Sequence, residues 1–368
     1  MKVVFNFIKM KKSLCFKYLL AIISITFFNY QSAIYGQTFE ASIDSILLEK
    51  YPPNAPGATF LISKNGNIIY HKAFGLSNLE LAVPMKNGNV FEIGSITKQF
   101  TAISIMMLME SGLLNLEDEI TKYIPDYPTN GNTITIHHLL THTSGIKSFT
   151  SIKGLNTIAE QDLTPMELID FFKNEPIDFL PGEKFKYNNS GYILLGYIIE
   201  KITGLDYATF VEENIFNELE MKASRYASHS KVIQDRASGY HHKDGYTNNK
   251  MISFSLPYSS GSLMSTTGDM FKWQEAIKNN LLIRKETADI VFTNYTLNNG
   301  EHIDYGYGWH IKKIENARSL EHGGSIFGFK SMGVYIPDSD IYVIGLSNCG
   351  CNSPTEVTRK IAVLAMYD

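Results

Sequence analysis

Two short runs of β-branched and aromatic residues stand near the start of the globular part of the chain. They are Ala58–Ser63 and Asn67–Phe74, and the tripeptide Lys64–Gly66 separates them. An Asn-Gly pair between such runs is the strongest short-range signal of a β-hairpin. The pattern therefore predicts two paired strands over this part of the chain.

A helix with no polar face follows the hairpin. We expect it to begin at Ser95 and to run to about Ser111, with Gly112 as its C-cap. The stretch from Ala102 to Met109 is apolar nearly all the way round, and such a helix belongs inside a protein. The pattern thus predicts a helix at the centre of the fold.

From about 113 to 250 the pattern is mostly helical. A capping box with proline at the first helical position starts one helix at Thr164. A second begins at Asn189 or Ser190 and ends at Gly204. A third carries the apolar residues Tyr207, Phe210, Val211 and Ile215. These helices predict an inserted, mostly helical lobe over 109–254.

The C-terminal third changes to the period of β-strands. Three runs predict strands there, namely Tyr305–Trp309, Phe329–Ile336 and Ile341–Leu346. The segment Pro337–Asp340 predicts the turn between the last two, and 355–367 predicts a closing helix. Strands at both ends of the chain indicate one antiparallel sheet flanked by helices and built from 37–108 and 255–368, an α/β fold of the α+β type.

Composition and the N-terminus narrow the class of protein. The 368 residues are 44% apolar and 19% charged, which is typical of a folded globular protein. Residues 1–36 hold five lysines and no acidic residue, and the apolar run Tyr18–Phe28 is too short to span a bilayer. We predict a signal peptide over 1–36 and an exported protein, periplasmic or secreted, with no stable membrane span after cleavage. An uncleaved membrane anchor and a start at Met10 stay open.

Charge and metal-ligand patterns exclude several kinds of partner. Beyond the leader, 28 basic side chains face 37 acidic ones, which argues against nucleic-acid binding. No acidic residue completes a metal-ligand pattern around His137, His138 and His142. Cysteines separated by one residue rarely meet disulfide geometry, so Cys349 and Cys351 are interpreted as incidental. We expect no metal and no other cofactor.

The candidate chemistry begins with a Ser-x-x-Lys pattern at the head of the apolar helix. Ser95 and Lys98 lie one turn apart on one helix face. A serine hydroxyl is a poor nucleophile unless a base takes its proton, and Lys98 can do so if burial lowers its pKa. The helix N-terminus also favours negative charge that develops on the serine oxygen. The pattern indicates a nucleophilic serine.

Two further segments, together with the Ser-x-x-Lys pattern, resemble the active-site motifs of a known superfamily. With Ser95-x-x-Lys98, the segments Tyr187-x-Asn189 and His322–Gly324 stand in the same order as the three active-site boxes of the serine β-lactamase and penicillin-binding protein superfamily. The sequence resembles the class C branch of that superfamily. The resemblance runs from about Tyr51 to Leu346, and three more segments support it, namely Leu139–Gly145, Gly261–Asp269 and Tyr305–Trp309.

The resemblance implies a β-lactamase/transpeptidase-like fold and an acyl-enzyme on Ser95. It implies that Lys98 takes part in proton transfer and that Asn189 orients Lys98 and the substrate. It also implies that Tyr187 is the general base for acylation and later activates the hydrolytic water. A tyrosinate needs a nearby cation, which Lys98 and, if protonated, the catalytic candidate His322 could provide. Which of Lys98 and Tyr187 holds the proton stays open, because two coupled groups titrate as a pair. The oxyanion hole would be formed by the backbone N–H groups of Ser95 and Ser325, next to the close-approach residues Gly323 and Gly324.

The third box departs from the Lys-Thr-Gly that is commonest in β-lactamases. His322 replaces a permanent cation, and the hydroxyl that helps to hold a substrate carboxylate is lost. The sequence is therefore closer to the esterases, D-amino-acid peptidases and carboxypeptidases of this branch. We expect a small-molecule or peptide substrate such as a peptidoglycan fragment, and faster turnover of activated esters or D-amino-acyl substrates than of β-lactams. A penicillin-binding or sensor module without turnover is the alternative, and the oligomeric state stays open.

Overall fold

The computed structural model describes residues 39–367, so the predicted signal peptide lies outside the described residues. Its helices are α1 (39–50), α2 (Thr97–Glu110), α3 (Ile136–Leu140), α4 (Leu155–Ile158), α5 (Pro165–Phe172), α6 (Asn189–Thr203), α7 (Tyr207–Val211), α8 (Tyr258–Gly261), α9 (Thr267–Lys278), α10 (Lys285–Val291) and α11 (Thr355–Tyr367). Within 39–367, no helix is both long and apolar enough to cross a bilayer.

The strands are distributed over both ends of the chain and its middle. They are β1 (Ala58–Lys64), β2 (Asn67–Phe74), β3 (Leu76–Asn78), β4 (Val83–Pro84), β5 (Phe91–Glu92), β6 (Arg225–Tyr226), β7 (Tyr240–His242), β8 (Tyr246–Asn248), β9 (Leu263–Ser265), β10 (His310–Ile314), β11 (Ala317–Ile326), β12 (Phe329–Ile336) and β13 (Ile341–Ser347).

One six-stranded sheet joins the two ends of the chain. Its strand order is β10-β11-β12-β13-β1-β2, and every neighbouring pair is antiparallel. The predicted hairpin of β1 and β2 is therefore confirmed, and β1 continues onto β13, with Ala58 opposite Ser347. The α1 and α11 helices cover one face of this sheet through a shared apolar cluster. The prediction of one antiparallel sheet from both chain ends is confirmed.

The apolar helix α2 lies in the main core, as predicted. Eleven of its 14 residues are buried, and the Phe100 ring stacks on Trp273 with 4.0 Å between ring centroids. A single 3₁₀ turn, Gly94–Ile96, leads into the helix and carries Ser95. The polar side chains of its first turn are therefore held inside the protein.

The middle of the chain follows the predicted helices and adds short strands. The capping box of α5 is present between Thr164 and Glu167, and α6 runs from Asn189 to a left-handed Gly204. The strands β6, β7 and β8 were not indicated by the sequence, because two- and three-residue strands carry almost no periodic signal. The boundaries 109 and 254 of the helical lobe stay a prediction.

The prediction of a strand over Tyr305–Trp309 is wrong. Residues Tyr305–Trp309 form a turn in which Gly308 has φ +85°, and only a single bridge links Tyr305 to His310. A side chain at Gly308 would also crowd the backbone of Gln99 in α2, so the segment packs on the helix instead of extending the sheet.

Cys349 and Cys351 form a disulfide, contrary to the interpretation that they are incidental. Their Cα atoms lie 5.1 Å apart, within the range that a disulfide needs. The chain turns between them because the Gly350 N–H donates to the Tyr240 carbonyl at 2.8 Å. One intervening residue therefore suffices when the backbone is bent and held there.

Candidate active site

The turn that carries Ser95 is pressed against strand β11. Gly94 has φ +52°, and a Cβ there would come within 2.9 Å of the Ser325 nitrogen. A Cβ on Gly324 would collide with the Ile93 carbonyl. The two glycines thus allow the backbones of the first and third sequence boxes to touch, with the Ser325 amide beside the Ser95 turn.

Lys98 is fully buried beneath Ser95. Its Nζ lies 3.3 Å from Ser95 Oγ, 2.8 Å from Asn189 Oδ1 and 2.9 Å from the Ser260 carbonyl oxygen. In the described part of the chain no carboxylate pairs with it, and burial lowers the pKa of Lys98 well below its ordinary value. An uncharged amine can give its two protons to the two carbonyl oxygens and direct its lone pair at Ser95.

Tyr187 lies beside this amine. Lys98 Nζ is 4.8 Å from the centroid of the Tyr187 ring. The hydroxyl oxygen of Tyr187 is buried and makes no hydrogen bond of ordinary geometry within the described residues. Burial raises the pKa of the Tyr187 phenol, and the nearby Ser95 side chain offsets only part of that rise. Burial therefore favours the neutral form of both groups, the phenol of Tyr187 and the amine of Lys98.

The Tyr187–Asn189 segment is held by a segment earlier in the chain, Leu139–Gly145. His142 Nδ1 accepts the backbone N–H of Asn188 at 3.1 Å, so the ring proton sits on Nε2. Asn188 in turn donates its side-chain amide to the Ile146 carbonyl and accepts the Gly191 N–H at 2.9 Å as the cap of α6. These bonds fix where Asn189 meets Lys98.

His322 lies in β11, buried behind the site. Its Nδ1 donates to the Gly323 carbonyl at 2.7 Å, which leaves Nε2 to accept the Tyr305 hydroxyl at 3.2 Å. Burial lowers the pKa of His322 well below its ordinary value. His322 is therefore neutral at pH 7 and supplies no cation to Tyr187, whose ring centroid is 6.0 Å away.

A cavity of about 450 Å³ opens next to Ser95. Its walls are mostly apolar, and its polar groups include Ser95, Asn189 and Ser325. The cavity is lined by Gly94, Ser95, Phe149, Thr150, Leu155, Asn189, His241, Ile252, Leu256, Pro257, Ser260, Gly261, Ser325, Ile326, Phe327, Lys330 and Gly350.

One charged residue of this cavity, Lys330, was missed by the sequence reasoning. No local pattern in the chain indicates it, because Lys330 is placed opposite Ser325 by the register of β11 against β12. The structure brings together Ser95, Lys98, Tyr187, Asn189 and Ser325, and it sets His322 behind them. No group of three or more metal-ligating side chains occurs among residues 39–367.

This arrangement on a sheet built from both chain ends is that of the serine β-lactamase and penicillin-binding protein superfamily, and the protein is a serine hydrolase of that class. The family model described as "Beta-lactamase" matches residues 47–365. The chain therefore belongs to the Beta-lactamase family, and the fold is β-lactamase/transpeptidase-like.

Individual relatives agree with this assignment. The chain is 32% identical over 306 residues to "Penicillin-binding protein 4*" of Bacillus subtilis, covering 79% of this chain and 67% of that protein. It is 28% identical to "Protein flp" of Staphylococcus aureus, of which it spans only 59%. An octameric penicillin-binding protein homologue from Pyrococcus abyssi superposes with a TM-score of 0.77 at 30% identity, covering 89% of this chain and 77% of that one.

Proposed function

We propose that this protein is an exported, class C-like serine hydrolase that forms an acyl-enzyme on Ser95 from ester, D-amino-acyl peptide or β-lactam carbonyls. The observation that carries the proposal is the contact of Lys98 with Ser95. A fully buried lysine without a carboxylate partner, 3.3 Å from a serine hydroxyl, is poised as a base. A protein that only bound its ligand would have no need for such an amine.

The pKa directions favour Lys98 as the group that takes the Ser95 proton. As Oγ bonds to the substrate carbonyl carbon, the tetrahedral oxygen is stabilised by the backbone N–H groups of Ser95 and Ser325. The bond to the leaving group then breaks, and the leaving group takes the proton of Tyr187. The resulting phenolate lies beside the newly charged Lys98, which stabilises it.

Deacylation reverses these proton movements. The Tyr187 phenolate takes a proton from the attacking water, and Lys98 returns its proton to Ser95 as the acid leaves. In this scheme Tyr187 is the general base of the second step. The earlier prediction that Tyr187 is also the base for acylation stays a prediction, because a buried neutral phenol has first to lose its proton.

The third box supports a preference for activated esters or D-amino-acyl substrates over β-lactams. His322 is neutral, so the site lacks a permanent cation at that position. Peptidoglycan fragments would suit an exported enzyme, and the similarity to penicillin-binding proteins is in keeping with such a substrate.

Labelling of the purified protein tests the proposal. We expect a fluorophosphonate to add one adduct mass to the wild-type protein and none to the Ser95→Ala variant. Hydrolysis of p-nitrophenyl acetate should depend on Ser95 and exceed that of a chromogenic cephalosporin. A wild-type protein that keeps a penicillin adduct indefinitely and hydrolyses no ester would instead be a sensor, and the proposal would be wrong.

A further inference from the structure

The cavity beside Ser95 lies on one side of the reacting serine. From Ser95 it extends along Ser325, Ile326 and Phe327 as far as Gly350. Tyr187, the proton donor to the leaving group in the proposed mechanism, is not among its lining residues. A substrate that presents its leaving group to Tyr187 thus has this cavity available for its acyl group.

The lining of the cavity carries a single formal charge, that of Lys330. Lys330 is half-buried in β12, directly opposite Ser325 of β11, and its Nζ lies 2.7 Å from Ser325 Oγ. Among residues 39–367, no carboxylate lies within ion-pair distance of Lys330. The cavity lining contains neither aspartate nor glutamate.

An ammonium group without a counter-ion beside apolar walls favours an anion. Leu155, Ile252 and Leu256 contribute apolar surface to these walls, and a charge pair is stronger beside apolar surface than in bulk water. Ser325 adds a hydroxyl that can donate to the same anion while Lys330 donates to it from the other side. The two side chains together therefore offer two hydrogen-bond donors to one carboxylate.

We infer that the cavity selects an acyl group that bears a carboxylate, held by Lys330 with Ser325. The inference rests on the proposed function, because it assigns the acyl side of the acyl-enzyme. This cation lies on β12, in a different strand and position from His322 of the third box. An acyl group with a free ammonium at the same place would be repelled.

The test uses three p-nitrophenyl esters that differ only at the end of the acyl chain. The six-carbon set is the adipate monoester, the hexanoate ester and the 6-aminohexanoate ester, and an eight-carbon set checks the reach. We expect kcat/KM of the wild-type protein to be highest for the carboxylate ester. The ratio of carboxylate to ammonium ester should fall about 10- to 100-fold in Lys330→Met, as for the loss of a charged hydrogen bond.

Matched variants separate charge from folding. Lys330→Arg should keep the carboxylate preference, and Lys330→Glu should reverse it towards the ammonium ester. Lys360→Met removes an exposed lysine on α11 and should leave all three rates unchanged. High salt should reduce the wild-type preference, because it screens a charge pair.

The outcomes also distinguish this inference from the proposed function. If Ser95-dependent hydrolysis occurs but Lys330→Met and Lys330→Glu leave the ratio between the esters unchanged in both length sets, the inference is overturned and the function stands. If the wild-type protein hydrolyses no ester and Ser95 is not labelled, the proposed function fails, and the acyl-group assignment fails with it.

Discussion

The two sides of Ser95 are built in different ways. The buried side consists of side chains whose functional atoms are enclosed by the protein, and its members are Lys98, His142, Tyr187 and His322, with Asn189 between this side and the cavity. The cavity side presents side chains to open space, and its members are Ser325, Phe327 and Lys330. Burial shifts the pKa values of the ionisable groups on the buried side. On the cavity side, the shape of the walls and the charge of Lys330 determine which substrate can bind. Proton transfer is therefore assigned to the buried side, and substrate selection to the cavity side.

The largest effect should come from Lys98. Lys98→Met keeps the volume and apolar stem but removes the base, so kcat/KM should fall about 100- to 10,000-fold, the usual contribution of a general base. Ester hydrolysis by the variant and the wild-type protein measures this directly. Lys98→Met removes the cost of burying an ionisable group but leaves the Asn189 and Ser260 oxygens without their donor, so the two effects on stability should largely offset each other. A variant that keeps more than a tenth of the wild-type rate would contradict the role of Lys98.

The pH dependence follows from the same buried amine. Because burial lowers the pKa of Lys98, the uncharged base is lost only as pH falls below that lowered value. There kcat/KM for a neutral ester should fall about tenfold per pH unit. His322 is already neutral and the pKa of Tyr187 is raised, so neither adds a falling limb between pH 6 and 9. A rate that decreases with rising pH across that interval would require a charged Lys98 instead.

Linkage gives the matching stability change. The unfolded chain binds a proton at Lys98 that the folded protein does not bind, from the lowered pKa up to the ordinary one. The free energy of unfolding should therefore rise with pH in that window, by about 1.4 kcal/mol per unit at most. Denaturant unfolding of Lys98→Met, which lacks the group, serves as the reference for this slope.

A smaller effect is expected from His142, which acts through Asn188. His142→Ala leaves the buried Asn188 N–H without its acceptor, at a cost of about 1–3 kcal/mol of stability, and should lower kcat about tenfold because Tyr187 and Asn189 are displaced. His142→Asn should restore much of kcat, since its Oδ1 can replace Nδ1 and asparagine tolerates the φ of +60° found here. Equal losses in both variants would argue against a positioning role.

Much of the buried side could be predicted from sequence. The Asn65-Gly66 turn, the all-apolar helix and the spacing of Ser95 and Lys98 are local patterns, and the structure realises each of them. The prediction of a strand over Tyr305–Trp309 was wrong. Alternating aromatic residues are typical of strands, but the chain turns at Gly308.

Apart from Ser325, the residues of the cavity side could not be predicted from sequence, because their positions depend on contacts between distant parts of the chain. Lys330 is eight residues from His322, and its place became clear only from the register of β11 against β12. The bond between Cys349 and Cys351 needed the backbone hydrogen bond of Gly350 to Tyr240, which comes from a distant strand. Such features follow from tertiary contacts, so no periodic pattern in the sequence predicts them.

The smallest predicted effect concerns the apolar rim of the cavity side. Phe327 is 39% exposed and lines the cavity, so it contacts only the outer part of a long acyl chain. Phe327→Ala should raise KM for p-nitrophenyl octanoate about three- to tenfold, since each buried methylene contributes about 0.8 kcal/mol. Hydrolysis of p-nitrophenyl acetate, whose acyl group does not reach the rim, is the internal control and should change less than twofold. If both esters lost activity equally, the rim would be coupled to Ser95, and the separation of the two sides would not hold.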